Sequence, residues 1–278
     1  MRLQPAPTNR RRATAPGYYP AVFAEFMLPY RDPGPFARWQ QQHDGRIATI
    51  DPTPSGSLMG GDLFPYGVLP RRLLAWMATT AVATGSRHLK AGSSRSEFAR
   101  AIGQAIDGRS QHRLADQLAR LAGATVHIQD STARADGTAV KGTTFPIAEH
   151  YTFDSTRHGT WVANGDDTEI AITLSSGFFT SITSAPVPVD LHVLKLLGSS
   201  PLRTDLYLWS CRERQQRDDL RWHSTYREFT ETFGSRSSRE RRFHEQLRAA
   251  ARAISHLHPD VTITPDADGL TFHFRRLR

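Results

Sequence analysis

The stretch SRSSRERRFHEQLRAAARAI, residues 235–254, opens on serines and arginines and continues as an alanine-rich helix. Phe243, Leu247, Ala250 and Ile254 fall at i, i+4, i+7 and i+11, the spacing of a single buried stripe. Half a turn away lie Arg241, Glu245, Arg248 and Arg252, with Arg239, Arg242 and His244 on the flanks. Ser237 and Ser238 stand where a helix N-cap belongs, and backbone N–H groups at such an end bind phosphate. The helix dipole disfavours cations there by roughly 0.3–1 kcal/mol each, and a bound polyanion would reverse that sign. The arginines are therefore expected to face a polyanion. A solvated charged face with local Arg–Glu pairs is the alternative.

The neighbouring segments place this helix in a motif. SPLRTDLYLWSCRERQQR (200–217) reads as a helix with Leu202, Leu206, Tyr207 and Trp209 as its apolar members. LRWH (220–223) reads as a short strand. STYREFTETFG (224–234) runs from a Ser/Thr cap to a glycine stop, with Tyr226, Phe229 and Phe233 on one side. Pro259 ends the arginine-rich helix. In VTITPDADGLTFHF (261–274), Val261 and Ile263 alternate with threonines, Asp268-Gly269 makes a hairpin turn, and Leu270, Phe272 and Phe274 alternate on the return. Helix, strand, helix, helix, hairpin is the order of a winged helix-turn-helix, whose third helix enters the major groove N-terminus first.

The first half has a similar order. LPRRLLAWMATTAVAT (69–84) reads as a helix with Leu73, Leu74, Met77, Ala81 and Val82 on its apolar face and Gly85 at its end. SRHLKAG follows as a short strand or connector. SSRSEFARAIG (93–103) is a helix with Phe98, Ala99 and Ile102 in the core, closed by Gly103. GRSQHRLADQLARLAGA (108–124) is a third helix with Leu114, Leu118 and Leu121 buried. It offers Arg109, Ser110, Gln111, His112, Arg113 and Arg120, but also Asp116, so weaker DNA contact or dimerisation is expected of it. ATVHIQD, FPIAEHYTF and TEIAITLS read as strands of a hairpin expanded by a long insertion. The segment PVPVDLHVLKLLGSS leads into the second half with a short helix.

The fold class expected is α+β, with two winged helix-turn-helix domains. Residues 1–60 are read as a flexible basic arm and linker on the strength of QPAPTNRRRATAPG and DPTPSGSLMGGD. Residues 61–184 form the first domain, with the expanded wing, and residues 185–278 the second, the main DNA reader. The 278 residues are 38% hydrophobic, enough for two small domains. The formal net charge is +8, which points to nucleic acid or an anionic surface. Lys90, Lys141 and Lys195 are the only lysines, and arginine suits bidentate contacts to phosphate and guanine. One cysteine, Cys211, leaves no disulfide framework or cysteine zinc site. PAVFAEFML is too short for a membrane span and is broken by Glu25. A cytoplasmic protein with no membrane partner is expected.

The blocks LFPYGVLPRRLLAWMATTAVATGSRHL (63–89), SEFARAIG (96–103) and APVPVDLHVLKLLGSSPLRTDLYLWSCRER (185–214) resemble plasmid-encoded replication initiators of the RepA type, over roughly 64–275. The resemblance implies an initiator with tandem winged-helix domains. It would bind repeated double-stranded DNA sites at a plasmid origin, recruit host replication initiator and helicase proteins, and switch between dimer and monomer.

Enzymatic readings find less support. His256-Leu257-His258 matches the His-hydrophobic-His pattern of rolling-circle nucleases, but it ends a helix instead of lying on a central strand. In GTAVKGTT, Lys141 precedes Gly142, so no phosphate loop is formed. Asp166, Asp167 and Glu169 read as a solvated turn. No catalytic residue, cofactor or metal is expected. The DNA-contacting candidates are Arg239, Arg241, Arg242 and His244 at base edges or adjacent phosphate. Arg236, Ser237 and Ser238 would position the backbone, Arg248 and Arg252 would meet phosphate, and Arg109, Ser110, Gln111 and Arg113 would act in the first half. A transcriptional repressor on the same scaffold and a protein-interaction scaffold remain alternatives.

Overall fold

The computed structural model of the chain describes residues 15–34, 39–53, 63–91, 95–104, 107–134, 137–152, 170–233, 240–258 and 260–275. Its first elements correct the reading of residues 1–60 as arm and linker. Strand β1 (Pro16–Tyr19), helix α1 (Ala21–Glu25) and strands β2 (Trp39–His43) and β3 (Arg46–Asp51) are part of the fold. Tyr19, Phe23, Met27 and Leu28 are buried, so these residues contribute core. The basic run at 10–12 and most of DPTPSGSLMGGD lie outside the described residues.

Helix α2 (Val68–Thr84) follows the sequence reading closely, with Leu73, Leu74, Met77 and Ala81 fully buried. Gly85 closes it at φ 62°, a left-handed conformation that costs glycine nothing. Then come β4 (His88–Lys90), α3 (Arg95–Ala101) and α4 (Gly108–Ala122), and a long hairpin of β5 (Thr125–Arg134) and β6 (Gly137–Pro146). Strands β7 (Ala148–Thr152) and β8 (Ala171–Leu174) complete the strands of the first half among the described residues.

The sheets are divided differently from a simple wing. Strands β5 and β6 join the N-terminal pair in a four-stranded sheet of order β2-β3-β5-β6, while β4 lies in a separate sheet of order β4-β8-β7. The first half thus spends its hairpin on the N-terminal strands, and the strand after its first helix pairs elsewhere. Strand β3 pairs with β5 only as far as Asp130. Beyond that point Ser131 N donates to Gly45 O at 3.1 Å, and the hairpin strands pair with each other as far as Arg134 and Gly137.

Helix α5 (Ser176–Ser184) was not anticipated. Ser175 caps it by accepting from the Phe178 N–H at 3.0 Å, and Phe178 and Ile182 are buried. Strand β9 (Val187–Asp190) pairs antiparallel with β1, and α6 (Leu191–Leu196) follows under an Asp190 cap.

The remaining elements appear in the expected order. They are α7 (Pro201–Gln216), β10 (Arg221–Thr225), α8 (Tyr226–Thr232), α9 (Glu240–Leu257), β11 (Val261–Pro265) and β12 (Gly269–Phe274). Ser200 caps α7, with Pro201 in the first turn. Thr225 and Glu228 form a reciprocal capping box on α8. The three strands form an antiparallel sheet of order β10-β12-β11. Trp209 packs edge-on against Phe229 at 5.3 Å and Phe272 at 5.5 Å, joining α7, α8 and β12. Each such ring adds about 1.5–3 kcal/mol by burial.

The two halves are tied by more than their linker. The α2 side chain Arg71 and the α7 side chain Asp205 form a bidentate pair, both nearly sealed from solvent. Arg72 donates to Gly103 O at 2.5 Å and to Gly198 O at 3.0 Å. One apolar core runs through both halves.

Candidate nucleic-acid interface

Helix α9 buries Phe243, Leu247, Ala250 and Ile254, the stripe expected from spacing, with Ala251 beside them. The arginine-bearing face therefore points away from the core. Arg241, Arg242 and Arg252 are exposed. Arg241 makes an i,i+4 pair with Glu245 at 3.2 Å while its side chain stays 93% exposed, and an exposed pair of this kind contributes only about 0.3–0.5 kcal/mol. Arg236, Ser237, Ser238 and Arg239 lie outside the described residues.

His244 and Arg248 are placed differently from the outer arginines. The His244 ring stacks on Tyr226 of α8 at 4.4 Å and 19°. Arg248 donates through Nε to the Tyr226 hydroxyl at 2.7 Å, with its guanidinium 4.9 Å from the ring centroid. Sequence reading assigned both to DNA, and no local spacing signals a partner 22 positions away.

The hairpin beside α9 is built around Asp266. Its carboxylate accepts from the Asp268 N–H at 2.9 Å and the Gly269 N–H at 2.8 Å, and pairs with His223 at 3.2 Å. The Asp268 N–H above all, with help from Gly269 and His223, holds the carboxyl below the usual aspartate range. Gly269 is required by close approach, because a Cβ there would sit 2.0 Å from Ser224 O. Thr262 and Thr264 on β11, His273 on β12 and Arg221 on β10 are exposed, and His273 faces Arg221 and Thr262 across the ladder. The alternation of the hairpin strands signalled these outward positions, yet they were not named as contacts.

The corresponding helix of the first half is chemically different. Asp107 caps α4, accepting from Ser110 N at 2.9 Å and Ser110 Oγ at 2.7 Å. The Ser110 bonds draw the Asp107 carboxyl below its ordinary value. The helix end thus already carries an anion of its own, and Ser110 is engaged with it. Arg109 and Arg113 are exposed, and Gln111 lies in the same helical turn. Arg120 is a structural residue: it pairs with Asp116 at 2.9 Å and Asp32 at 3.1 Å and lies over the Tyr66 ring at 5.2 Å.

Residues 64–222 match the sequence profile of a family described as plasmid encoded RepA protein. The chain belongs to this family. The match begins at Phe64, ahead of α2, and ends at Trp222 in β10, so α9 and the hairpin lie past it. None of the curated proteins matches this RepA-family chain in sequence. Its fold is similar to crystal structures of domains 2 and 3 of RctB. One, of selenomethionine derivatives, has a TM-score of 0.59 at 13% identity, covering 92% of this chain and 98% of that one. A second has a TM-score of 0.57 at 13% identity, covering 92% and 97%.

In the RepA-family chain His256 lies in the last turn of α9 and His258 follows directly after the helix. Tyr207 lies 5.7 Å from the His258 ring. It is buried, its hydroxyl accepts from Asp190 N at 2.7 Å, and burial drives its pKa well above the ordinary value. His258 accepts from Asp260 N through Nδ1 at 3.2 Å, which occupies one ring nitrogen. Among the described residues no group of three or more His, Cys, Asp and Glu gathers; Asp166, Asp167 and Glu169 lie outside them. Lys141 is on strand β6, and burial pushes the Cys211 thiol up to about 12. Among the described residues no helix is long and apolar enough to cross a membrane.

Proposed function

We propose that this RepA-family chain is a non-enzymatic replication initiator that binds repeated double-stranded sites at a plasmid origin. Residues 201–274 act as a winged helix-turn-helix, with α8 and α9 as its helix pair and β11–β12 as its wing. The observation that carries the reading is the face of α9 opposite the buried stripe, where Arg241, Arg242 and Arg252 are exposed on a chain of net charge +8. Arginines so placed reach guanine edges and phosphates when the helix enters a major groove. Arg239 would join them at base edges or adjacent phosphate, and Arg236, Ser237 and Ser238 would position the DNA backbone.

The first half plays a lesser part at the DNA, because Asp107 holds the start of α4 as an internal anion. Arg109 and Arg113 supply peripheral phosphate contacts. The first half also suits self-association, and host initiator and helicase proteins are the further partners of this reading.

The test is a gel-shift titration on the DNA flanking the protein's own coding sequence, with shuffled competitor, at two salt concentrations. Discrete bands that survive competitor and moderate salt are expected. A smear abolished by salt would reduce the arginines to nonspecific attraction. Specific binding at a promoter without support of plasmid replication would instead favour a repressor.

A further inference from the structure

Helix α9 and the β11–β12 hairpin meet at one side chain, Tyr226, the first residue of α8. Its backbone N–H donates to Asp268 O at 2.8 Å. Its hydroxyl donates to Asp266 O at 3.3 Å and accepts from Arg248 Nε at 2.7 Å. A single oxygen thus links a donor on α9 to an acceptor at the hairpin turn. The ring, 5% exposed, also carries the stacked His244 ring and the Arg248 guanidinium. Asp266 is braced in turn by Asp268, Gly269 and His223.

We propose that Tyr226 is the positioning residue that fixes the angle between α9 and the hairpin, so that both reach one DNA site together. The proposal rests on the DNA-binding reading above. A tyrosine that only filled space would need its ring alone, and phenylalanine would serve. Here the hydroxyl spans two elements, and both of its bonds are lost on removing one atom. Arg248 then acts first as the pin that locks α9 to Tyr226. Its Nη groups stay oriented by that lock, whatever they meet outside.

The experiment uses the full chain with Cys211→Ala and spin labels at two exposed positions, Gln246→Cys on α9 and Ala267→Cys at the hairpin turn. Their distance distribution is measured with Tyr226, with Tyr226→Phe and with Arg248→Met. A narrow distribution that broadens in both variants is expected. An unchanged distribution would overturn the positioning role, whatever happens on DNA. The same proteins without labels are titrated on the fragment flanking the coding sequence and on shuffled DNA. Tyr226→Phe should lower the ratio of specific to nonspecific affinity by about fivefold or more, the scale of one lost hydrogen bond, and should remove the hairpin-side part of the footprint. An unchanged ratio and footprint, beside specific binding by the parent, would also overturn the proposal. If the parent itself fails to discriminate shuffled DNA, the DNA reading falls, while the distance measurement still decides whether Tyr226 sets the angle.

Discussion

Arg71 and Asp205 face each other across the junction of the two halves, Nε to Oδ1 at 2.5 Å and Nη2 to Oδ2 at 2.6 Å, each side chain 1% exposed. The guanidinium also donates to Leu28 O at 2.7 Å and Gly67 O at 2.5 Å. With Pro29 O at 3.4 Å, five acceptors therefore hold one nearly sealed cation. Burying either charge alone would be prohibitive, and only the pair makes the junction tolerable.

Removing one partner should be costly. Asp205→Ala leaves Arg71 without its counter-ion and is expected to destabilise the fold by about 3–5 kcal/mol. Replacing both, with Arg71→Met and Asp205→Leu, should recover much of that loss, because no unpaired charge then remains. Urea unfolding of the two variants checks this; a double variant no better than the single would contradict it.

Gly269 should tolerate no side chain. An alanine Cβ would sit 2.0 Å from Ser224 O and 2.8 Å from Thr225 Cα, both backbone atoms of β10. Relief requires the β10–β12 ladder to open, at about 1–3 kcal/mol for overpacking. Gly269→Ala is expected to lower the melting temperature and to raise amide exchange at the paired β10 residues. Gly85→Ala has open space around it and should cost only the strain of φ 62°.

The arginines should separate by role. Arg241→Ala and Arg242→Ala are expected to change stability by less than about 0.5 kcal/mol, yet to weaken specific DNA binding by roughly 1–3 kcal/mol where they read a guanine. An equal loss on every DNA sequence would make them phosphate contacts. Arg120→Ala should do the reverse, since it removes a nearly buried guanidinium that ties Asp116 to the exposed Asp32. Its effect belongs in the melting curve, with the specific-to-nonspecific ratio unchanged.

Acidification should weaken the fold through His258. Burial holds its imidazole below the ordinary histidine value, against the opposing pull of Asp260 and Asp190. The unfolded chain therefore binds a proton more readily than the folded one. Stability is full above the unfolded value of about 6.5, and is lost as pH falls from there towards the folded value. The Nδ1 atom, which accepts from Asp260 N, loses that role when protonated. The urea midpoint should drop between pH 7.5 and 5.5, and His258→Gln should flatten the drop.

What was legible in the sequence was local. The α9 stripe, the Ser/Thr cap of α8 and the alternation of β11 and β12 each depend on residues within a few positions, and each is readable from the sequence; the reciprocal bond from Glu228 is seen only in the fold. Helix α5 was missed because SGFFTSITS is built from serine, threonine and aromatics, weak helix formers on their own. Burial of Phe178 and Ile182 supplies the stability instead. Strands β2 and β3 were missed because WQQQH is polar, and the partner that orders β3 is β5, far along the chain. At the interface, the exposed arginines of α9 were readable from periodicity. The Tyr226 node was not, because the contacts that define it come from two other elements, α9 and the hairpin turn. Asp107 could have been found: an aspartate three residues before Ser110 is an N-cap signal.

The pairing of β1 with β9 sets a schedule for the nascent chain. Ala15 and Asp190, which meet at the end of that ladder, are 175 positions apart. At a synthesis rate of about 5–20 residues per second, the first strand leaves the ribosome roughly 10–35 s before its partner. For that interval Tyr18, Tyr19 and the apolar side chains of Val22, Phe23, Phe26, Met27 and Leu28 have no β9 beside them and no α7 to cover them. Until residues 187–190 arrive, the edge of β1 that will pair with β9 has no partner strand.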